Sequence, residues 1–181
     1  MDPAGRRPSF LPFRAVNRAD LPGHDPGLQR HHLLPRQLLG RNGAARLFAA
    51  LGPDRLRFDD FRCNGLLLPA NDQAVLRSGL PLHRGPHRGY SALVYERVGQ
   101  IEAGWAAQRP RDPERALDDA LARLHLLQRA LRRRLLDQRR RLLLNLRDPL
   151  GSGADFAELD ALAEDLWPAT AEAVRAEEGQ A

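Results

Sequence analysis

Two adjacent histidines, His31 and His32, lie in the short stretch "LQRHHLLP" and make up a third of the six histidines in the chain. The stretch predicts a short strand that Pro35 ends, and neighbouring side chains of a strand point to opposite faces. The two rings therefore cannot both be ordinary core residues on one side of a sheet. Either one ring is simply solvated, or the pair does two different jobs. An imidazole titrates at about pH 6.5, so at neutral pH it can accept a proton from water.

Two further groups of polar residues follow along the chain. Asn64 and Gly65 open "NGLLLP", where a turn signal precedes a short apolar run. The segment "LHRGPHRGY" then carries His83, His87 and Tyr90. The order is thus a histidine pair, an asparagine before an apolar run, and two histidines around the start of a predicted helix. Gly85 and Pro86 separate His83 from His87, so His83 could lie in the preceding loop and have a structural role instead.

Short elements are predicted between these groups, because glycine and proline interrupt the chain often. Asn71 can cap a helical turn that Gly79 closes, and proline is favourable in a first helical turn, which predicts a helix after Pro86. Asp59 and Asp60 could support a histidine, but an exposed pair on a strand is the preferred interpretation. In chain order, the pattern predicts an irregular arm over residues 1–27, a strand at "LQRHHLLP", a helix at "RNGAARLFAALG", a strand, turn and strand at "RLRFDDFRCNGLLLP", a helical turn at "NDQAVLRSG", and a helix with Tyr90, Leu93, Val94, Val98 and Ile101 on its apolar face.

A long helix is predicted over residues 113–146, and a last short amphipathic helix from Phe156 to Trp167. A leucine stripe on the long helix could pack on the core of the same chain or pair with another chain as a coiled coil. The stripe follows a 4-3 spacing that glutamines interrupt, and its members are Leu117, Leu121, Leu124, Gln128, Leu131, Leu135, Gln138 and Leu142.

Composition limits the class of protein. Of 181 residues, 43% are hydrophobic, which is enough for a core of ordinary size. The single cysteine, Cys63, excludes an internal disulfide and a zinc site built from cysteine pairs. The sequence has neither the apolar segment of a signal peptide nor the run of about 20 apolar residues that a membrane span needs. We therefore expect a soluble protein that is cytoplasmic, or is delivered from the cytoplasm as an effector.

Charge is distributed unevenly along the chain. All 28 basic residues are arginine; residues 28–98 carry a net charge of +6, residues 113–147 carry another +6, and residues 148–181 carry −8. Two basic blocks followed by an acidic segment indicate a polyanionic partner and a segment that shields the basic surface. The alternative is an acidic helix that packs on a basic one.

In this order, the three groups of residues resemble the AHH nucleases of the HNH/endonuclease VII superfamily, the His-Me finger or ββα-metal nucleases. In that family a double histidine opens the motif, "NG…LP" follows, and "HxGxHxxY" closes it. The resemblance covers roughly residues 28–98, and Arg30 stands where the family has alanine. It implies an α+β fold with a ββα-metal core and an inserted helix, to which the leucine spacing adds an extension by long amphipathic C-terminal helices.

The resemblance also implies a role for each residue of the motif. His32 would be the general base, with Asn64 orienting it through a hydrogen bond. One divalent metal ion, Mg²⁺, Zn²⁺ or Ni²⁺, would be held by His31, His83 and His87. Tyr90 could equally belong to the core or contact phosphate. The candidates for binding nucleic acid are Arg36, Arg41, Arg84, Arg88 and Tyr90.

The activity implied is metal-dependent endonuclease cleavage of nucleic acid, DNA in preference to RNA, with little sequence specificity, as in a bacterial toxin or defence nuclease. The alternative is a catalytically inactive module that binds nucleic acid or protein on the same scaffold. Nucleic acid is the expected partner and a membrane is not; a second copy or an inhibitory immunity protein could bind the leucine-rich helix. We expect four parts: an N-terminal arm (1–27), the nuclease core (28–98), a basic helical extension (99–147) and an acidic C-terminal helix or tail (148–181).

Overall fold

The computed structural model describes residues 10–40 and 42–151. Arg41 and the predicted helix from Phe156 to Trp167 lie outside the described residues. The described part contains helices and one two-stranded antiparallel sheet, which confirms the α+β prediction. Its elements are β1 (Leu28–His32), α1 (Asn42–Leu51), α2 (Pro53–Leu56), α3 (Phe61–Asn64), β2 (Gly65–Pro69), α4 (Asp72–Ser78), α5 (Arg88–Gln108) and α6 (Pro113–Leu136), with 3-10 turns at Phe13–Ala15 and Arg36–Gly40.

Strands β1 and β2 pair with each other, although three helices separate them along the chain. His31 lies opposite Leu66, and His32 lies opposite Gly65, the first residue of β2. Packing demands the glycine, because a Cβ at Gly65 would lie 2.1 Å from the ring of Phe61. The pairing thus places the two histidines at the end of the sheet where β2 begins.

The sequence predicts two strands in "RLRFDDFRCNGLLLP", and the second of them is β2. The prediction of the first strand is wrong, because helix α2 and a turn occupy its place. Leu56 and Phe58 are both buried, but their alternation with arginine reflects a helix end and a turn. Arg57 between them has a φ of 51°, a left-handed conformation that redirects the chain. Asn64 therefore ends α3 instead of forming a hairpin turn, and the partner of β2 is β1.

Asp60 differs from the expected exposed strand residue, because its side chain is fully buried while Asp59 is exposed. The Asp60 Oδ1 atom accepts hydrogen bonds from the backbone N–H groups of Leu11 and Arg62, each at 3.1 Å. The bond from Arg62 caps α3. The Oδ2 atom pairs with the guanidinium group of Arg57. Asp60 thereby joins the N-terminal arm to the helix that ends in Asn64.

Helices α1, α5 and α6 pack together to form the helical part of the core. The predicted apolar face of α5 is buried along its length. In the leucine stripe of α6, Leu124, Leu131 and Leu135 are also buried, so the stripe packs on the core of its own chain. None of the helices within residues 10–40 and 42–151 combines the length and apolar content needed to cross a bilayer.

Helix α6 ends at Leu136, ten residues before the predicted end. Asp112 caps its N-terminus by accepting the N–H of Arg115, and Pro113 occupies its first turn. At its C-terminus Asp137 adopts an extended conformation and accepts the backbone N–H groups of Arg139 and Arg140. Such a local side-chain bond competes with helix formation, which explains the early end despite the helical leucine spacing.

The substitution Asp60→Asn should lower the free energy of unfolding by about 2 kcal/mol, because the amide cannot pair with Arg57 and leaves that charge partly buried. Urea denaturation followed by circular dichroism measures the change. Asp59→Asn is the matched control and should leave stability within about 0.5 kcal/mol of the wild type. Equal stability of the two variants would contradict the structural role of Asp60.

Candidate active site

Three histidines from distant parts of the chain come together beside the sheet. His31 is in β1, His83 lies between α4 and α5, and His87 immediately precedes α5. The distances between ring centroids are 4.8 Å for His31–His83, 4.4 Å for His83–His87 and 5.7 Å for His31–His87. One ring nitrogen from each residue lies within 4.8 Å of the others, so the three could hold one metal ion. The structure thus gathers the three predicted ligands, with His83 in a loop.

The hydrogen bonds around these rings fit a bound cation. His31 is only 4% exposed, and its Nε2 atom has no hydrogen-bond partner. The Nδ1 atom of His87 is likewise buried without a partner. Leaving such atoms unpaired is unfavourable, and a cation would satisfy both. The Nδ1 atom of His83 lies 3.2 Å from Gln29 Oε1, which fixes one nitrogen of the ring and leaves the other for a ligand, as outer partners of metal-bound histidines do.

The electrostatic environment keeps all three rings neutral at pH 7, which is the form that binds metals. Burial lowers the pKa of His31 well below its usual value of 6.5, and the positive charge of protonated His83 or His87 would lower it further. Burial, with His87 nearby, lowers the pKa of His83 to about 4. Burial also lowers the pKa of His87, against the opposing effect of a hydrogen bond with the backbone of Leu144.

His32 has different neighbours from His31, as the alternation of a strand requires. The ring of Phe13 stacks on it in parallel, with the centroids 3.7 Å apart and the planes 3° apart. Its Nε2 atom is buried and has no hydrogen-bond partner. Burial first, then the positive charge of Arg36, lowers its pKa to about 4. At neutral pH His32 is therefore an unprotonated imidazole.

The side chain of Asn64, which the resemblance makes the residue that orients His32, bonds to backbone groups beside the histidine pair and to Gln128. Its side-chain Oδ1 atom accepts the backbone N–H of Leu34 at 2.8 Å, and its Nδ2 atom donates to the carbonyl oxygens of Leu34 and Phe58. Gln128 of α6 completes the set by donating to Oδ1 at 3.2 Å. These bonds fix the backbone immediately after the histidine pair.

The histidines open into a cleft of about 650 Å³ between β1 and the start of α5. Arg36 and Arg88 line it and are exposed, as expected of residues that contact phosphate. Arg84 is exposed nearby on the loop that carries His83. Tyr90 lies in the floor with 1% exposure, and its hydroxyl donates to the carbonyl oxygen of Leu33 at 2.7 Å. Tyr90 is thus a core residue, which corrects its assignment to nucleic-acid binding.

Sequence reasoning missed the roles of four residues that shape the site. Gln128 had a visible signal, because it is a polar residue on an otherwise leucine-rich face. Phe13 and Gln29 gave no signal in the sequence, since each contacts a histidine across a tertiary interface. Arg30 also contributes: its guanidinium donates to the carbonyl oxygen of Phe13 at 2.9 Å and ties the arm to β1.

Comparison with known proteins identifies the family of the chain. The sequence model of AHH, a nuclease family of the HNH/ENDO VII superfamily with conserved AHH, matches residues 13–131. Those residues include every histidine, asparagine and arginine of the site described above. No curated protein and no solved structure matches the chain significantly. With most of its length covered by the family model, the chain belongs to the AHH family of nucleases.

Proposed function

We propose that this nuclease is a metal-dependent endonuclease that cleaves DNA with little sequence specificity. The observation that carries the proposal is the pair of buried, unpartnered nitrogens on His31 and His87, which lie beside His83 and next to a fourth, separately packed histidine. On this proposal β1, β2 and the first turn of α5 form the ββα-metal core, with α1 to α3 inserted between the strands.

In the proposed reaction His32 is the general base. It takes a proton from a water molecule, whose oxygen attacks phosphorus while the bond to the leaving oxygen breaks. A divalent metal held by His31, His83 and His87 would stabilise the negative charge of the phosphate as a Lewis acid. Phe13 holds the ring of the base by stacking, and Asn64 acts as a positioning residue through the backbone of Leu34.

The arginines at the cleft are the proposed contacts to the nucleic-acid backbone. Arg36 and Arg88 line the cleft, and a guanidinium group can bind a phosphate through two parallel hydrogen bonds. Contacts of this kind give affinity without reading the bases, which supports low sequence specificity. The three imidazole ligands favour Zn²⁺ or Ni²⁺ over Mg²⁺, because Mg²⁺ prefers oxygen ligands.

The purified protein should cleave plasmid DNA when Zn²⁺, Ni²⁺ or Mg²⁺ is added, and His32→Ala should lower the rate by about 10²- to 10⁴-fold because it removes the base. Gel electrophoresis of plasmid and of a matched RNA measures the rate and the preference. His24→Ala removes a histidine that is not among the residues lining the cleft and serves as the control. Absence of cleavage by the wild type with all three metals would leave the inactive binding module as the better description.

One equivalent of Zn²⁺ should bind the metal-free protein and raise its melting temperature. At a concentration of 100 times the dissociation constant the stabilisation is about 2.7 kcal/mol. His31→Ala, His83→Ala and His87→Ala should each abolish most of this effect, while His32→Ala should retain it. Titration calorimetry and thermal unfolding provide the two measurements. Equal Zn²⁺ binding by the three ligand variants and the wild type would refute the proposed metal centre.

The metal-free protein should lose stability as the pH falls from about 6.5 to about 4. Folding lowers the pKa values of His32 and His83 to about 4, so in this window the unfolded chain binds more protons than the folded one. The stabilisation from neutral rings is complete above pH 6.5 and is lost as the pH falls to the folded value. Urea denaturation at pH 7, 6, 5 and 4 should give a shallower pH dependence for His32→Ala than for the wild type, and parallel curves would contradict the assignment.

A further inference from the structure

We propose that the segment after α6, residues 137–150, is a positioning element for the two metal ligands His83 and His87, and that Asp148 is its principal residue. The inference rests on the proposed metal centre and adds to it. The AHH family model matches residues up to 131, so this segment lies beyond the matched region. The loop that carries the ligands, residues 79–87, has no regular secondary structure of its own and needs external contacts to hold its shape.

The carboxylate of Asp148 binds the loop at the residue directly before His83. Its side chain is fully buried, and Oδ2 accepts the backbone N–H of Leu82 at 2.7 Å. The same atom accepts a hydrogen bond from Nη2 of Arg141 at 2.7 Å, and that nitrogen also donates to the carbonyl oxygen of Leu80 at 2.6 Å. One buried ion pair therefore holds two backbone groups of the loop within three residues of His83.

Further contacts extend along the same segment. The side-chain amide of Gln138 donates to the carbonyl oxygen of Ser78 at 2.8 Å, where the loop begins. The side-chain amide of Asn145 donates to the carbonyl oxygen of Arg84, the residue after His83. The segment thus contacts the loop before His83, through Leu82, and between the two ligands, through Arg84.

The opposite side of the loop is fixed by the sheet. The backbone N–H of His83 donates to the carbonyl oxygen of Pro69 at the end of β2 at 2.7 Å. The loop is consequently held between β2 and the segment after α6, with Leu142 and Leu144 of that segment buried in the core. A metal centre needs its ligands held close to the binding geometry, and partners outside the ligand set commonly supply that constraint.

The test measures both the Zn²⁺ affinity and the free energy of unfolding. A purely structural role would change the free energy of unfolding and leave the Zn²⁺ affinity unchanged. In the full-length protein, Asp148→Ala should weaken Zn²⁺ binding by about tenfold or more. Asp148→Asn should weaken it less, because the amide oxygen can still accept the N–H of Leu82. Asn145→Ala should weaken binding several-fold, and it provides the measurement if Asp148→Ala does not fold. Titration calorimetry gives the affinity, and urea denaturation gives the stability of each variant.

Two controls separate the possible outcomes. Asp60→Asn destabilises the protein away from the loop and should keep the wild-type Zn²⁺ affinity. Asp137→Asn changes the segment of residues 137–150 at a side chain that does not contact the loop, and it should also keep the wild-type Zn²⁺ affinity. Unchanged affinity in both Asp148→Ala and Asn145→Ala, or an equal loss in Asp60→Asn, would overturn the positioning role alone. Failure of the wild type to bind Zn²⁺ would overturn the proposed metal centre and this inference together.

Discussion

The side chain of Asn64 joins parts of the molecule that are far apart in sequence. Its amide is fully buried and bonds to the backbone of Leu34, to that of Phe58 and to Gln128 of α6. The backbone carbonyl oxygen of Asn64 accepts the backbone N–H of Leu33 at 2.8 Å. Each of these bonds replaces a bond to water that burial removes, so the loss of one partner leaves another polar group unsatisfied. The end of β1, the turn before α3 and the long helix are consequently held in one arrangement.

The arrangement matters because the site requires neutral rings packed closely together. Burial lowers the pKa of each of His31, His83 and His87, and any proton on one of them disfavours a proton on its neighbours. Such a cluster forms only if the surrounding structure overcomes the unfavourable desolvation. The Asn64 contacts on one side of the site, and the contacts of residues 137–150 on the other, provide that support. A cation would then complete a site whose shape exists in the protein alone.

The sequence predicted which histidines come together better than it predicted the secondary structure around them. The histidines were predictable because residue type and order carry the information, and the cap at Asn71 and the stop at Gly79 were predictable from local chemistry. The strand near Leu56 was not, because alternation of apolar residues and arginine over a few positions also arises at a helix end. The role of Asp60 was hidden because its partners, Leu11 and Arg57, meet it only through the tertiary fold.

The antiparallel register of β1 and β2 assigns each histidine of the pair to its own side of the sheet. Side chains alternate at every position of a strand, so a slip of β1 by one residue would exchange the two rings. The ring that now stacks on Phe13 would turn towards His83, and the proposed base would become a ligand. Inserting or deleting a single residue in β1 would therefore exchange the surroundings of the two rings while leaving both imidazoles present. On the proposed function, the length of this strand matters as well as the identity of its residues.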